Sequence, residues 1–124
     1  KDSDVMRAPE NLPTVGLDDP AMDALDVLAK KHLGCFVVTD HGKLAGIFTE
    51  GDFIRALKND TDLKRLKARD LMNPTPKSVQ ASESAFYAMS LIRKFQINQL
   101  VVVDDHNAVV GLVHIHDLVA AKIN

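Results

Sequence analysis

The sequence predicts an α/β (α+β) fold made of two β-α-β-β-α repeats packed with pseudo-two-fold symmetry. Three observations carry that prediction. Apolar, β-branched runs, Phe36-Val37-Val38-Thr39 and Leu100-Val101-Val102-Val103, have the composition of buried strands. Each is followed by a polar turn and a second apolar run, Leu44 to Phe48 and Val109 to Ile115, as in a hairpin. The whole pattern then occurs twice. The offset is 64 residues at Val15/Val79 and Asp40/Asp104 and 65 at Gly46/Gly111, because the second hairpin loop is one residue longer. A turn is where a repeat tolerates an insertion.

Asp4-Val5-Met6 opens the chain, and Pro9 and Pro13 keep the next segment extended or turning. Thr14-Val15 reads as a short strand. Asp19 and Pro20 start a helix, with an acid at the N-cap and proline at the first helical position. Met22, Leu25, Leu28 and Ala29 recur at spacings of three and four as its apolar face, and Gly34 ends it. The hairpin turns at Asp40-His41-Gly42-Lys43, and a helix runs from Glu50 to about Lys58. Asn59 to Lys67 is polar and charged. It is expected to be the least structured stretch and the boundary, giving repeats of residues 1–61 and 62–124. Asp70-Leu71-Met72 then echoes Asp4-Val5-Met6, and Lys77-Ser78-Val79 echoes Pro13-Thr14-Val15. A helix beginning at Ser82 or Glu83 carries Phe86, Met89 and Ile92, and a closing helix begins at Asp117. A half of roughly 60 residues is marginal alone. Each small sheet, with helices on one side, leaves an apolar face for the other copy to cover, with clefts at the junction.

Composition narrows the function. The chain is 46% hydrophobic and 26% charged, an ordinary globular balance rather than a disordered one. A net charge of −2 leaves no nucleic-acid footprint, and the run Lys64, Arg65, Lys67, Arg69 is expected to be a solvated face. The apolar runs are far shorter than the ~20 residues of a membrane helix, and no secretory leader opens the chain. A single cysteine, Cys35, excludes an internal disulfide and fits a reducing cytoplasm; in its apolar run it is expected to be core or pocket wall rather than nucleophile. The first residue is Lys1 rather than Met, which suggests a piece of a longer polypeptide.

The chemistry concentrates at Gly46-Ile47-Phe48-Thr49-Glu50-Gly51-Asp52, the end of a strand turning into a helix. Thr49 and Asp52 have the spacing of a capping box, which accounts for both residues with no ligand. The same geometry serves a ligand. The helix N-terminus offers amides and positive potential to a phosphate. Thr49 adds a hydroxyl, and Asp52 two acceptors for ribose hydroxyls. Gly51 costs about 1 kcal/mol against alanine within a helix, a hint that something approaches the backbone there. The second copy, Gly111-Leu112-Val113-His114-Ile115-His116-Asp117, replaces the hydroxyl residue with His114. Its imidazole can donate to an anion, more strongly when protonated. His114 and His116 would point the same way on a regular strand. With Asp117 they fall short of a metal site, and satisfied or anion-facing histidines are expected. His41 and His106 lie in turns facing water, and Met6 and Met72 plug the core. No Walker-type phosphate loop or nucleophile–base pair marks the chain as an enzyme.

With these residues in view, the chain resembles a tandem pair of CBS domains. The two Asp-φ-Met openings, the two Val-rich strands ending in Asp, and Gly46 to Asp52 carry the likeness, and the last matches that family's Gly-φ-φ-Thr/Ser-x-x-Asp nucleotide motif. Gly-Ile-Phe-Thr-Glu-Gly-Asp-Phe, Ile97-Asn98-Gln99-Leu100 and His114 to Leu118 are further similar to the C-terminal region of bacterial arabinose 5-phosphate isomerases. That family joins an N-terminal sugar isomerase domain to a CBS pair and serves synthesis of the lipopolysaccharide sugar Kdo. The resemblance implies a regulatory module that is not itself the enzyme, cytoplasmic and homodimeric, with no required cofactor. It implies CMP-Kdo, AMP or ATP as ligand. Thr49 and Asp52 would be joined by Lys77, Ser78, Val79, Asn98 and Gln99 of the other half. The mirrored cleft would use Thr14, Cys35, His114, His116 and Asp117. The alternative is a structural dimerisation module with no physiological ligand.

Overall fold

The computed structural model describes residues 12–24, 35–59 and 62–122. Asp4-Val5-Met6, Pro9 and the expected helix positions Leu25, Leu28, Ala29 and Gly34 lie outside them. The described chain forms two compact units, residues 12–76 and residues 77–122.

In the first unit β1 (Thr14–Gly16), β2 (Cys35–Asp40) and β3 (Lys43–Thr49) form a sheet in that order. β1 runs parallel to β2, and β3 antiparallel to it. The hairpin closes through His41 and Gly42, with φ of 52° and 81°. Two consecutive positive φ angles give a turn whose twist matches that of the strands. Asp19 caps the amide of Gly16 at 2.7 Å, and residues 21–24 are helical. Ala21 and Ala24 are the buried positions there, while Met22, expected on the apolar face, is 38% exposed.

α1 (Glu50–Lys58) follows β3 directly and buries Phe53. Phe36, Phe48 and Phe53 form one aromatic cluster. Phe36 stacks on Phe48 at 5.1 Å, and Phe53 meets Phe48 edge-on at 5.2 Å. Val15, Ala24, Val38, Leu63 and Ala68 complete this core.

The connector expected to be least structured is ordered over residues 62–67. Asp62 caps a 3-10 turn at Leu63–Arg65, and Leu63 enters the core. Leu66 packs partly buried against the same core, and its carbonyl accepts from Ala21 N at 2.9 Å, so two leucines anchor the charged stretch. The short α2 (Ala68–Leu71) then docks by main-chain bonds, Ala68 N to Asp19 O at 2.9 Å and Arg69 N to Leu17 O at 3.0 Å. The basic run is exposed as expected, and Arg69 pairs with Asp18 at 2.7 Å. Met72 packs against the core beside Gly46. A Cβ on Gly46 would sit 2.5 Å from the Met72 sulfur and 2.8 Å from the Asn73 carbonyl oxygen, which accepts from Ile47 N. The thioether can move; the main-chain carbonyl cannot do so without breaking that bridge. Gly46→Ala is therefore expected to destabilise by about 1–3 kcal/mol, read as a lower urea midpoint with unchanged slope.

The second unit repeats the plan with β4 (Ser78–Gln80), β5 (Gln99–Val103) and β6 (Val109–His114), again with a parallel and an antiparallel pairing. Both sheets carry a register shift at the matched place, Val38/Thr39 and Val102/Val103. α3 (Ala85–Phe95) begins later than Ser82 or Glu83, because Ala81 and Glu83 are held in a turn bonded to Val103 O and Gln80 O. Ser84 is the cap, its hydroxyl accepting from Tyr87 N at 3.1 Å. The buried stripe is Ala85, Ala88, Met89 and Ile92, and Phe86 is 64% exposed. Phe86, one position along from Ala85, is turned about 100° away from the core. The closing helix α4 (Ile115–Ala120) starts two residues before Asp117 and ends β6 at His114. No helix among the described residues is long and apolar enough to cross a membrane.

Candidate functional site

In each unit the sequence-predicted site residues gather at one end of the sheet. Parallel pairing puts the starts of β1 and β2 together, and antiparallel pairing adds the end of β3. Thr14 and Cys35 therefore lie at the end where Cys35 pairs with Thr49. In the second unit Ser78, Gln99 and His114 share the matched end, Gln99 pairing with His114.

Thr49 leaves β3 in extended conformation and caps α1 in a complete capping box. Its Oγ1 accepts from Asp52 N at 3.3 Å, while Asp52 Oδ2 accepts from Thr49 N at 2.8 Å. The Thr49 hydroxyl also donates to Oδ2 at 3.3 Å. Asp52 Oδ1 is engaged as well, by the guanidinium of Arg55 one turn along. Sequence reasoning missed Arg55. The signal was present, an acid and a base three apart on one helix. Glu50 and Asp52 both suit the positive helix end. A Cβ on Gly51 would meet Thr49 Oγ1 and Arg55 Nη1 only at ordinary contact distance, 3.5 Å, so steric need alone does not explain this glycine.

Cys35 is fully buried, and burial pushes its thiol up to about 12. It is protonated and inert at neutral pH. Between about pH 9 and 12 the unfolded thiol ionises while the folded one keeps its proton. The folded state then holds the extra proton, so stability present below that window is lost as pH rises through it, by about 1.4 kcal/mol per unit. Urea midpoints of the wild type and Cys35→Ala across this range should differ by that slope.

The second device is built differently. His114 caps α4 through Nδ1, which accepts from His116 N at 3.1 Å, the amide of the second helical residue rather than the third. Only an imidazole unprotonated at Nδ1 can do this. His116 falls on the helix rather than on a strand beside His114, yet the two rings stack at 4.7 Å. Asp117 is the third helical residue, matching Asp52. No group of three or more metal-binding side chains occurs among the described residues.

Lys77 lies over the Phe95 ring at 4.5 Å and stays exposed. Ser78 and Asn98 are exposed, and Asn98 O accepts from Ile115 N at 2.7 Å. Val79 is a core residue, paired with Val102 in the sheet. Gln99 Oε1 is buried with no hydrogen-bond partner among the described residues.

Each unit thus carries a strand-to-helix turn with an acid three residues after its cap. The chain belongs to the CBS domain family, whose model matches residues 3–59 and 68–124. It is similar to arabinose 5-phosphate isomerase KdsD of Pseudomonas aeruginosa, 40% identical over 99% of this chain, and it spans 38% of that protein's length. Among solved structures it resembles CBSX2 in complex with AMP, with a TM-score of 0.82, 27% identity, and 96% of this chain and 92% of that chain covered. It also resembles a CBS domain pair in complex with 5′-methylthioadenosine and S-adenosyl-L-methionine, with a TM-score of 0.83, 26% identity and 97% of both chains covered.

Proposed function

We propose that this chain is the regulatory, ligand-sensing region of an arabinose 5-phosphate isomerase and that its ligand is a nucleotide or nucleotide-sugar. The observation that carries this is the Thr49–Asp52 device, a hydroxyl, a carboxylate and helix amides at one end of the β1–β3 sheet. The likeness to structures holding AMP, methylthioadenosine and S-adenosylmethionine supports an adenosine-bearing ligand, AMP or ATP. CMP-Kdo, the activated end product of the Kdo route, carries the same ribose diol and a phosphate and would act as a feedback signal. Contacts are assigned to Thr14, Cys35, Thr49 and Asp52 in the first unit. In the second they are assigned to Lys77, Ser78, the main chain of Val79, Asn98, Gln99, His114, His116 and Asp117. The repeats divide at residues 1–61 and 62–124. The parent would be cytoplasmic and carry its catalytic residues in an N-terminal sugar isomerase domain.

Calorimetry and thermal shift with AMP, ATP, CMP and CMP-Kdo test the reading. Saturable binding by at least one is expected, with about 2.7 kcal/mol of stabilisation at a hundredfold excess over Kd. No binding by any of the four would remove the sensing role.

A specific observation favours a second reading, a dimerisation module without ligand. Ile54 and Leu57 on α1 are 51% and 59% exposed, and Tyr87 and Val119 in the second unit are 46% and 52% exposed. Such helix faces suit a two-fold homodimer. Light scattering reads this directly, and a strict monomer at high concentration would count against it.

A further inference from the structure

By sequence, Asp70-Leu71-Met72 opens the second repeat, as Asp4-Val5-Met6 opens the first. In space it belongs to the first unit, residues 12–76. Residues 68–73 form a strap over one face of the first sheet. At one end the strap is tied just after β1. Leu17 O and Asp19 O accept from Arg69 N and Ala68 N there, and Asp18 holds the Arg69 guanidinium. At the other end it reaches β3, on the opposite edge of the sheet. Asn73 and Ile47 exchange both main-chain bonds, at 2.7 and 3.2 Å. Ala68, Leu71 and Met72 pack into the core between these ends. The strap thus clasps β3 two residues before Thr49, with Met72 against Gly46.

The side chain of Asn73 has a separate task. Its Oδ1 accepts from the amide and the hydroxyl of Thr75 at 3.0 and 3.1 Å. This turn, with Pro74 and Pro76 on either side of Thr75, stiffens the run from the clasp to Lys77. β4 starts at the next residue, Ser78. One residue therefore holds the strand that delivers Thr49 by its main chain and sets the course into β4 by its side chain. A stiff, hydrogen-bonded path passes a displacement on, where a loose one would absorb it.

We propose that Asn73 is the joint that couples the two repeats, so that a change at the Thr49–Asp52 turn reaches the start of β4 through it. The coupling is a property of the chain itself and holds whether or not a ligand binds.

The test reads amide shifts by NMR on the whole chain. Asp52→Asn keeps an oxygen for Thr49 N and changes the charge of the turn. It is expected to move the amides of Ile47, Thr75, Lys77 and Ser78. Asn73→Ala keeps the main-chain clasp and removes the acceptor for Thr75. In that background Asp52→Asn should still move Ile47, while its effect at Lys77 and Ser78 should be lost. Asn73→Asp retains an acceptor oxygen and should restore the effect. Pro76→Gly leaves all of these bonds in place, loosens the run and should weaken the effect. Shifts at Lys77 and Ser78 that are absent in the wild-type background, or as large with Asn73→Ala and Pro76→Gly as without them, overturn the joint.

Discussion

Truncating Phe48 to alanine is expected to lower the unfolding free energy by about 3–5 kcal/mol, the cost of emptying a large aromatic site in a packed core. Phe48 is fully buried, stacked on Phe36 and met edge-on by Phe53. It joins β2, β3 and α1, so its loss loosens the strand and helix that present Thr49 and Asp52. A typical domain has only about 5–15 kcal/mol in reserve, so this variant should unfold at a much lower urea concentration. Phe86→Ala is the matched control. It removes the same side chain from a 64% exposed position and should change stability by less than about 0.5 kcal/mol. Equal losses at the two sites would contradict the placement of the helix α3 stripe.

Removing the Asp52 carboxylate should separate cap from ligand site. Asp52→Ala deletes the acceptor for Thr49 N and should cost about 1 kcal/mol of stability. If the carboxylate also holds two ligand hydroxyls, each worth about 1.5–3 kcal/mol, affinity should fall by two decades or more. Asp52→Asn keeps a carbonyl oxygen for the Thr49 amide and loses the charge. It should melt close to wild type and still bind at least tenfold more weakly, as expected when a charge-assisted bond becomes neutral. Normal nucleotide affinity in Asp52→Ala, with only the earlier melting, would reduce Asp52 to a cap.

The site was legible where its chemistry is local. A hydroxyl residue followed three positions later by an acid at a strand-to-helix junction makes a capping box within one turn, and Thr49 and Asp52 do so. The Arg55–Asp52 pair is as local and equally readable, a base three residues after an acid on one helix. His114 shows the limit of substitution logic. It was expected to donate to an anion, yet the ring accepts from the amide of His116 and caps the helix through Nδ1.

By itself the sequence determined the repeat, the strands and the capped turns, because these follow from side-chain period and from bonds spanning three or four residues. Only the tertiary structure decided which apolar residues count as core. Leu63 is drawn in from a charged connector while Phe86 is turned out, and the Asn73 carbonyl closes on Gly46 from 27 residues along the chain. Each depends on what another segment places opposite, and no local pattern encodes that.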